Sequence, residues 1–420
     1  MACLPLMANA QTIQNDATAP LHLMKPAYTY KYGVPTKEEV KSSLDRIFKY
    51  LDETTFAELD ESGKQLKRGD FRLTSYEWGV TYSAMLRAGE LLGDKKYTDY
   101  AMKRMSFLAE QAPKFKKWLD KGEKIDPLMR QVVEPKALDD CGAICCAMIK
   151  AHSSLFNEQA ERYYDFIKNK EYRYTDGQFA RLRPVKNTVW LDDMFMGIPA
   201  LALHGDWNEA MVQFRLFHDK MWVKEKQLYR HGWTPTESGY HPSFFWGRAN
   251  GWALLTACEL LDVKEDAYIM SCFKEHLSGL MALQGINGAW HQLLDRNETY
   301  EETSCTAIYC YCLAHAINKG WIEPEPYIGQ TLLAWNYVNA HITERGQVSG
   351  TCVGTGLAFD PAFYAYRPVN NFAAHGYGPT IWAGAEVHEL ISKHCIKTND
   401  SAVHYYEEDP KTDEPIFYVK

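Results

Sequence analysis

Apolar residues along this chain recur every three or four positions, the spacing that lines one face of an α-helix. The series Thr36-Lys37-Glu38-Glu39 has the form of a capping box and opens a helix that runs to about Leu51. Further helices are predicted near 75–93, 96–112, 136–152, 157–169, 190–203, 207–220, 247–262, 264–283, 302–319, 326–342 and 378–393. Helix breakers separate them, as at Leu92-Gly93-Asp94, Gly205-Asp206 and Lys319-Gly320. Strand-like pieces are short and lie between helices, Gln227-Leu228-Tyr229-Arg230-His231 being one. Twelve helices with short links between alternate partners point to an all-α fold, an (α/α)6 toroid with six inner helices ringed by six outer ones. The repeat is structural and weak in sequence.

A second regularity lies at the helix starts. Six segments combine aromatic, small and ionisable residues there: Tyr76–Gly79, Leu138–Gly142, Trp190–Asp193, Trp246–Trp252, Glu302–Ala307 and His375–Pro379. Inner helices of a toroid run parallel, so these segments would converge at one end. Six helix N-termini together favour an anionic ligand.

The third segment is the most unusual. Asp192 and Asp193 sit inside the otherwise apolar tract Trp190–Pro199, and ionised carboxylates are seldom buried without partners. Helical spacing places Asp192 on a face with Phe195, Met196 and Pro199, and Asp193 elsewhere on the helix. Desolvation among such neighbours would raise a carboxyl pKa and keep a proton at hand for general acid work. The structural alternative is that one of the pair caps the helix. Asp139 and Asp140 raise the same choice before Cys141-Gly142: one is expected as an N-cap, the other as a partner for substrate hydroxyls.

Arg248 and Trp252 are four residues apart and share a helix face. They suit a bidentate grip on a sugar carboxylate beside a supporting ring, or an Arg–Trp stack in the core. Arg181 and Arg183 bring positive charge to the same mouth or lie on a solvated loop. His231 and His375 stand among glycines and aromatic residues. The sequence lacks HExxH, Gly-x-Ser-x-Gly, GxGxxG and P-loop patterns, which removes zinc-peptidase, α/β-hydrolase and nucleotide-binding readings.

Composition narrows the class. Aromatics reach 13%, which suits either a bulky core or a ring-lined carbohydrate cleft. A net charge of -8 without a basic block argues against nucleic acid. The 11 cysteines contain no CxxC pair and read as buried thiols rather than a zinc site or a disulfide framework. No metal and no cofactor is expected, and no run is long and apolar enough to span a membrane. Ala8-Asn9-Ala10 has the small-x-small form of a signal-peptidase site behind a short apolar stretch. Residues 1–30 thus read as a remnant signal peptide and flexible N-terminus, and residues 31–420 as one catalytic domain. An exported, periplasmic protein is expected, with a cytoplasmic one as the alternative. Oligomeric state is not legible.

Trp190-x-Asp192-Asp193-x-Phe195-Met196, then Trp246-x-Arg248-x-Asn250-Gly251-Trp252, then His375-Gly376-Tyr377-Gly378-Pro379 resemble, in their order and spacing, the unsaturated uronyl hydrolases. The nearest likeness is to the unsaturated rhamnogalacturonyl hydrolases of glycoside hydrolase family 105. The unsaturated glucuronyl hydrolases of family 88 are more distant. The resemblance runs from about Lys37 to Lys393 and implies the α/α toroid. It also implies removal of a 4,5-unsaturated uronic acid from the non-reducing end of lyase-generated oligosaccharides, so the expected partner is an anionic oligosaccharide. Carried over by motif, Asp192 is the general acid/base and Asp140 the second active-site aspartate. Arg248, Trp252 and His231 fall at substrate-binding positions, and Trp246, Trp78 and His375 join that set. Asp192 would protonate C4 of the vinyl ether, water would add at C5, and the hemiketal would open. The alternatives are a sugar epimerase of the same toroid fold, using His231 with His375, and a non-catalytic carbohydrate-binding relative.

Overall fold

The computed structural model describes residues 33–235, 241, 243–399 and 402–406. The expected leader over residues 1–30 lies outside them. Fourteen α-helices are present among the described residues. They are α1 (Lys37–Thr54), α2 (Tyr76–Leu92), α3 (Lys95–Asp120), α4 (Pro127–Val133), α5 (Gly142–Lys150), α6 (Asn157–Asn169), α7 (Asp192–Leu203), α8 (Trp207–Met221), α9 (Gly247–Val263), α10 (Ala267–Met281), α11 (Thr303–Asn318), α12 (Ile328–Ala340), α13 (Pro361–Ala365) and α14 (Tyr377–Lys393). Twelve match the periodic segments, and α4 and α13 are short helices within connections. The capping box forms as expected, with Thr36 and Glu39 bonded reciprocally. One helix outruns its prediction: α3 continues through Pro113 because Phe115 beyond it is buried and packs edge-on against Trp118.

Burial separates two classes of helix. Helix α11 is buried over nearly its whole length, as an apolar helix enclosed on all sides must be. In α6 the buried residues are Gln159, Ala160, Tyr163, Phe166 and Ile167, one face of an amphipathic helix. The enclosed helices α2, α5, α7, α9, α11 and α14 each contact the next, and α14 closes on α2. Outside them α3, α6, α8, α10 and α12 each pack on the preceding inner helix, while α1 packs on α14. The first helix therefore completes the last pair, and the (α/α)6 toroid is closed.

Strands are few and short. Val189–Trp190 (β1) pairs antiparallel with Gly232–Trp233 (β4), and Trp222–Val223 (β2) with Leu228–Tyr229 (β3). Cys395–Asn399 (β5) and Ala402–Tyr406 (β6) form a hairpin that packs along α12, where no strand was expected. The cysteines of the described residues are free thiols, nine of them buried, and they pack as small apolar groups.

Ring closure demands close approach. A Cβ on Gly142 would overlap the carbonyl oxygen of Met196 on α7. A Cβ on Gly378 would stand 2.8 Å from Val80 Cγ1 on α2. At the C-terminal ends of the inner helices an ionic belt ties the ring. His315 on α11 bonds Glu386 of α14 and Asp262 of α9, each at 2.9 Å. Arg87 of α2 bonds the same Glu386 at 2.8 Å.

Two outcomes follow from this packing. Gly142→Ala is expected to lower unfolding free energy by about 2 kcal/mol, read as a reduced denaturation midpoint at constant slope. Burial works against a charged His315, but hydrogen bonds to Asp262 and Glu386 hold its pKa up at about 10. Its contribution is therefore complete below the ordinary value of 6.5 and is lost as pH rises through about 10. His315→Gln should flatten the fall of melting temperature across that interval, and an unaltered slope would contradict the belt.

Candidate active site

Helix α7 begins at Asp192 with Leu191 as its N-cap, so no side chain caps it and both aspartates lie in the first turn. Negative charge is favoured there by the helix dipole. Neither aspartate is the cap, and their surroundings then separate them. Asp192 Oδ2 lies 2.9 Å from Nε2 of the buried His231, and its side chain is 13% exposed, which leaves it reachable from the mouth. Asp193 is buried and accepts three bonds from Arg181 at 2.6–3.1 Å.

His231 is held from behind. Its Nδ1 lies 2.7 Å from the Tyr364 hydroxyl, which also accepts the Ala358 N–H at 3.3 Å. Burial pushes the Tyr364 pKa up, so the phenol keeps its proton. Tyr364 then donates to Nδ1, and Nε2 carries the hydrogen given to Asp192. Burial alone would raise the Asp192 pKa. The hydrogen bond from His231, with the charges of Arg181 and Arg248 further away, outweighs it and leaves Asp192 below its ordinary value. The expected upward shift is thus corrected for Asp192. It falls instead on Asp193, which burial pushes up to about 6 against the pull of Arg181.

Arg181 is not on a solvated loop. Its side chain is 18% exposed, lies 4.2 Å over the Trp190 ring, and bridges Asp193 to Asp139 through two 3.1 Å bonds. Asp140 ends a 3-10 turn and accepts the Lys136 N–H at 2.9 Å. Burial raises its pKa. Cys141 stands at the N-cap of α5, so the capping expectation for Asp139 or Asp140 is also corrected.

Arg248 is buried over the Trp246 ring at 4.6 Å. Its forked end is occupied by the chain itself: the carbonyls of Cys352 and Val353 accept at 2.8 Å and Ser304 Oγ at 3.2 Å. The expected bidentate hold on a ligand carboxylate is therefore taken up by backbone, and Arg248 acts on the site through its charge. Trp246 donates to Gln292 at 3.1 Å and its ring lies 4.8 Å from His231. Trp252 stacks on Phe195 and Trp78 on Phe71, both deep in the core. Their ring faces are spent on packing, which sets both apart from the expected substrate-binding residues.

His375 Nε2 meets the Tyr76 hydroxyl at 2.6 Å and lies 3.4 Å from Glu77. Burial, then Arg248, drive its pKa well down, so the ring is neutral. His231 and His375 thus have different partners, Asp192 and Tyr364 for the one and Tyr76 for the other. A cleft of about 480 Å³ opens over Tyr76, Glu77, Asp139, Asp140 and His375, within the size range of small-molecule sites. Tyr364 and the bridging role of Arg181 went unseen in the sequence. Arg181 carried a weak signal beside the aspartate tract. Tyr364 carried none, lying in a long connection without periodicity.

The family model of Glycosyl Hydrolase Family 88 matches residues 46–391. An unsaturated rhamnogalacturonyl hydrolase, YesR, of Bacillus subtilis is 27% identical over 250 residues, covering 56% of this chain and 71% of that protein. An unsaturated 3S-rhamnoglycuronyl hydrolase of Formosa agariphila is 27% identical over 223 residues, covering 48% of this chain and 58% of that one. The crystal structure of a possible member of the GH105 family from Klebsiella pneumoniae superposes with a TM-score of 0.67 at 20% identity. It covers 90% of this chain and 99% of that one, a likeness of fold alone.

Removing one partner from a buried ion network strands the others. Arg181→Met should therefore lower stability by about 3 kcal/mol in chemical denaturation. Asp193→Asn, which leaves Arg181 paired with Asp139, should cost less. Equal losses would show that Arg181 is not the bridge.

Proposed function

The chain belongs to Glycosyl Hydrolase Family 88, and from that premise we propose that it removes a 4,5-unsaturated uronic acid from the non-reducing end of lyase-generated oligosaccharides. The observation that carries this reading is the reachable carboxyl of Asp192, bonded at 2.9 Å to a histidine that a buried tyrosine orients. Unsaturated rhamnogalacturonan fragments are the proposed source, supported by the name of the Bacillus relative. Export to the periplasm is proposed on Ala8-Asn9-Ala10 alone.

The substrate is a vinyl ether, with C4=C5 conjugated to the ring oxygen. Asp192 acts first as an acid. In the free site it is held ionised, but an arriving uronate adds a second negative charge nearby and raises its proton affinity. The protonated carboxyl gives its proton to C4, and positive charge develops at C5 and the ring oxygen. The resulting carboxylate is steadied by the His231 N–H and accepts a proton from the water that attacks C5. The hemiketal then opens at the bond between C5 and the ring oxygen, which leaves C1 as a hemiacetal whose collapse to the aldehyde releases the shortened saccharide. Asp140, with its pKa raised by burial, holds substrate hydroxyls in this reading. One carboxyl serves both proton steps, so the separation rule for retaining and inverting pairs does not apply.

Asp192→Asn should abolish the loss of ultraviolet absorbance that accompanies consumption of the conjugated double bond, with the circular dichroism spectrum unchanged. Tight product binding by the unaltered protein without any absorbance loss would instead mean a carbohydrate-binding relative. The active acid form is lost as pH rises through the Asp192 pKa, which His231 depresses. His231→Leu should accordingly move the alkaline limb of kcat/KM upward by about one pH unit. A limb that stays in place would remove Asp192 as the titrating acid.

A further inference from the structure

Helix α3 ends in a stretch whose charge runs against that of the chain. Residues 113–124 carry five lysines against two carboxylates, Asp120 and Glu123, in a protein of net charge -8. Lys114, Lys117, Trp118 and Lys121 recur at the spacing of a single helix face. Phe115 is buried beside that face and seats the helix, while the three lysines are exposed. Trp118 packs edge-on against Phe115 at 5.0 Å. Lys114 Nζ lies 4.8 Å from the centre of the Trp118 ring, and Lys64 Nζ, from the segment before α2, lies 5.7 Å from it. Asp126 accepts the Leu66 N–H at 3.1 Å, which ties that segment to the connection after α3.

The acids nearby do not cancel this charge. Asp120 is paired with Lys116, and Glu123 with Lys64 at 3.7 Å. Lys114, Lys117, Lys121 and Lys124 pair with no carboxylate among the described residues. A cation at a helix C-terminus offsets unpaired carbonyls. That accounts for Lys117 in the last turn of α3 and Lys121 at its cap. It does not account for Lys114 a turn earlier, or for Lys64 and Lys124 outside the helix. Like charges three and four residues apart destabilise a helix, so this face carries a folding cost that a bound polyanion removes.

We propose that this face of α3, with Lys64 and Lys124, is a docking site for an acidic polysaccharide, separate from the cleft where hydrolysis takes place. The choice of a polysaccharide rests on the hydrolase reading above. Lysine is a compact point charge that suits carboxylates carried singly on successive sugars, whereas arginine forks suit phosphates. The negative charge of the rest of the chain sets the protein against nucleic acid. The segments that carry the patch run on into the cleft wall, one to Arg72 and the other to Gln131. Lys124 thus lies no more than about 25 Å from Gln131. A polymer held on the patch keeps the mouth close to the fragments cut from it.

Retardation in gels containing polygalacturonate, dextran or duplex DNA tests the site, with turnover of an unsaturated disaccharide followed in parallel. Polygalacturonate should retard the protein at low salt, dextran should not, and added salt should release it. Lys114→Gln, Lys117→Gln and Lys121→Gln together should weaken this retention about tenfold and leave kcat/KM for the disaccharide unchanged. Polygalacturonate should also raise the melting temperature of the unaltered protein and not that of the triple variant. Equal retention of the two proteins, or retardation by DNA as strong as by polygalacturonate, overturns the docking site. A fall in disaccharide turnover in the triple variant overturns its separation from the cleft. If the disaccharide is not turned over while polygalacturonate still retards the protein through these lysines, the hydrolase reading falls and the docking site stands on the binding alone.

Discussion

Six parallel helices must approach closely enough to close a ring, and the small residues at their contacts allow that approach. Gly142 against Met196 and Gly378 against Val80 are two points where any side chain would force the wall apart. Closure has a chemical consequence. It brings six helix starts to one end, and with them Glu77, Asp139, Asp140, Asp192, Asp193 and Glu302. The positive ends of the helices are thus met largely by the protein's own carboxylates. Glu302, for one, caps α11 and also accepts the Cys352 N–H.

So many acids in one place must be kept apart in role, and their partners do this. Arg181 joins Asp139 to Asp193 and makes both structural. His231 takes Asp192 and leaves it reachable. Neighbouring carboxyls one residue apart therefore shift in opposite directions, Asp193 up through burial and Asp192 down through its hydrogen bond. The opposite end of the ring uses the same device for stability, with His315 held charged between Asp262 and Glu386.

The connection between α12 and α14 matters as much to the site as any helix. It supplies the carbonyls that occupy Arg248 and the hydroxyl that orients His231. A loop laid across a rigid ring can vary its lining without disturbing the helices beneath.

Helical periodicity alone determined the twelve long helices, their pairing order and the clustering of ionisable residues at alternate helix starts, because a 3.6-residue repeat is a local property of the chain. It also separated Asp192 from Asp193, since adjacent residues on a helix point about 100° apart. What faces each side chain is not local. Trp252 shares a helix face with Arg248, yet only the seating of α9 against α7 put it on Phe195 and in the core. Arg181 and Tyr364 reach their aspartate and histidine partners across 12 and 133 positions of sequence, distances over which spacing carries no signal. The direction of each pKa shift depends on those partners. The sequence could therefore single out the aspartate pair, while only the tertiary structure decided that burial pushes Asp193 up and that His231 draws Asp192 down.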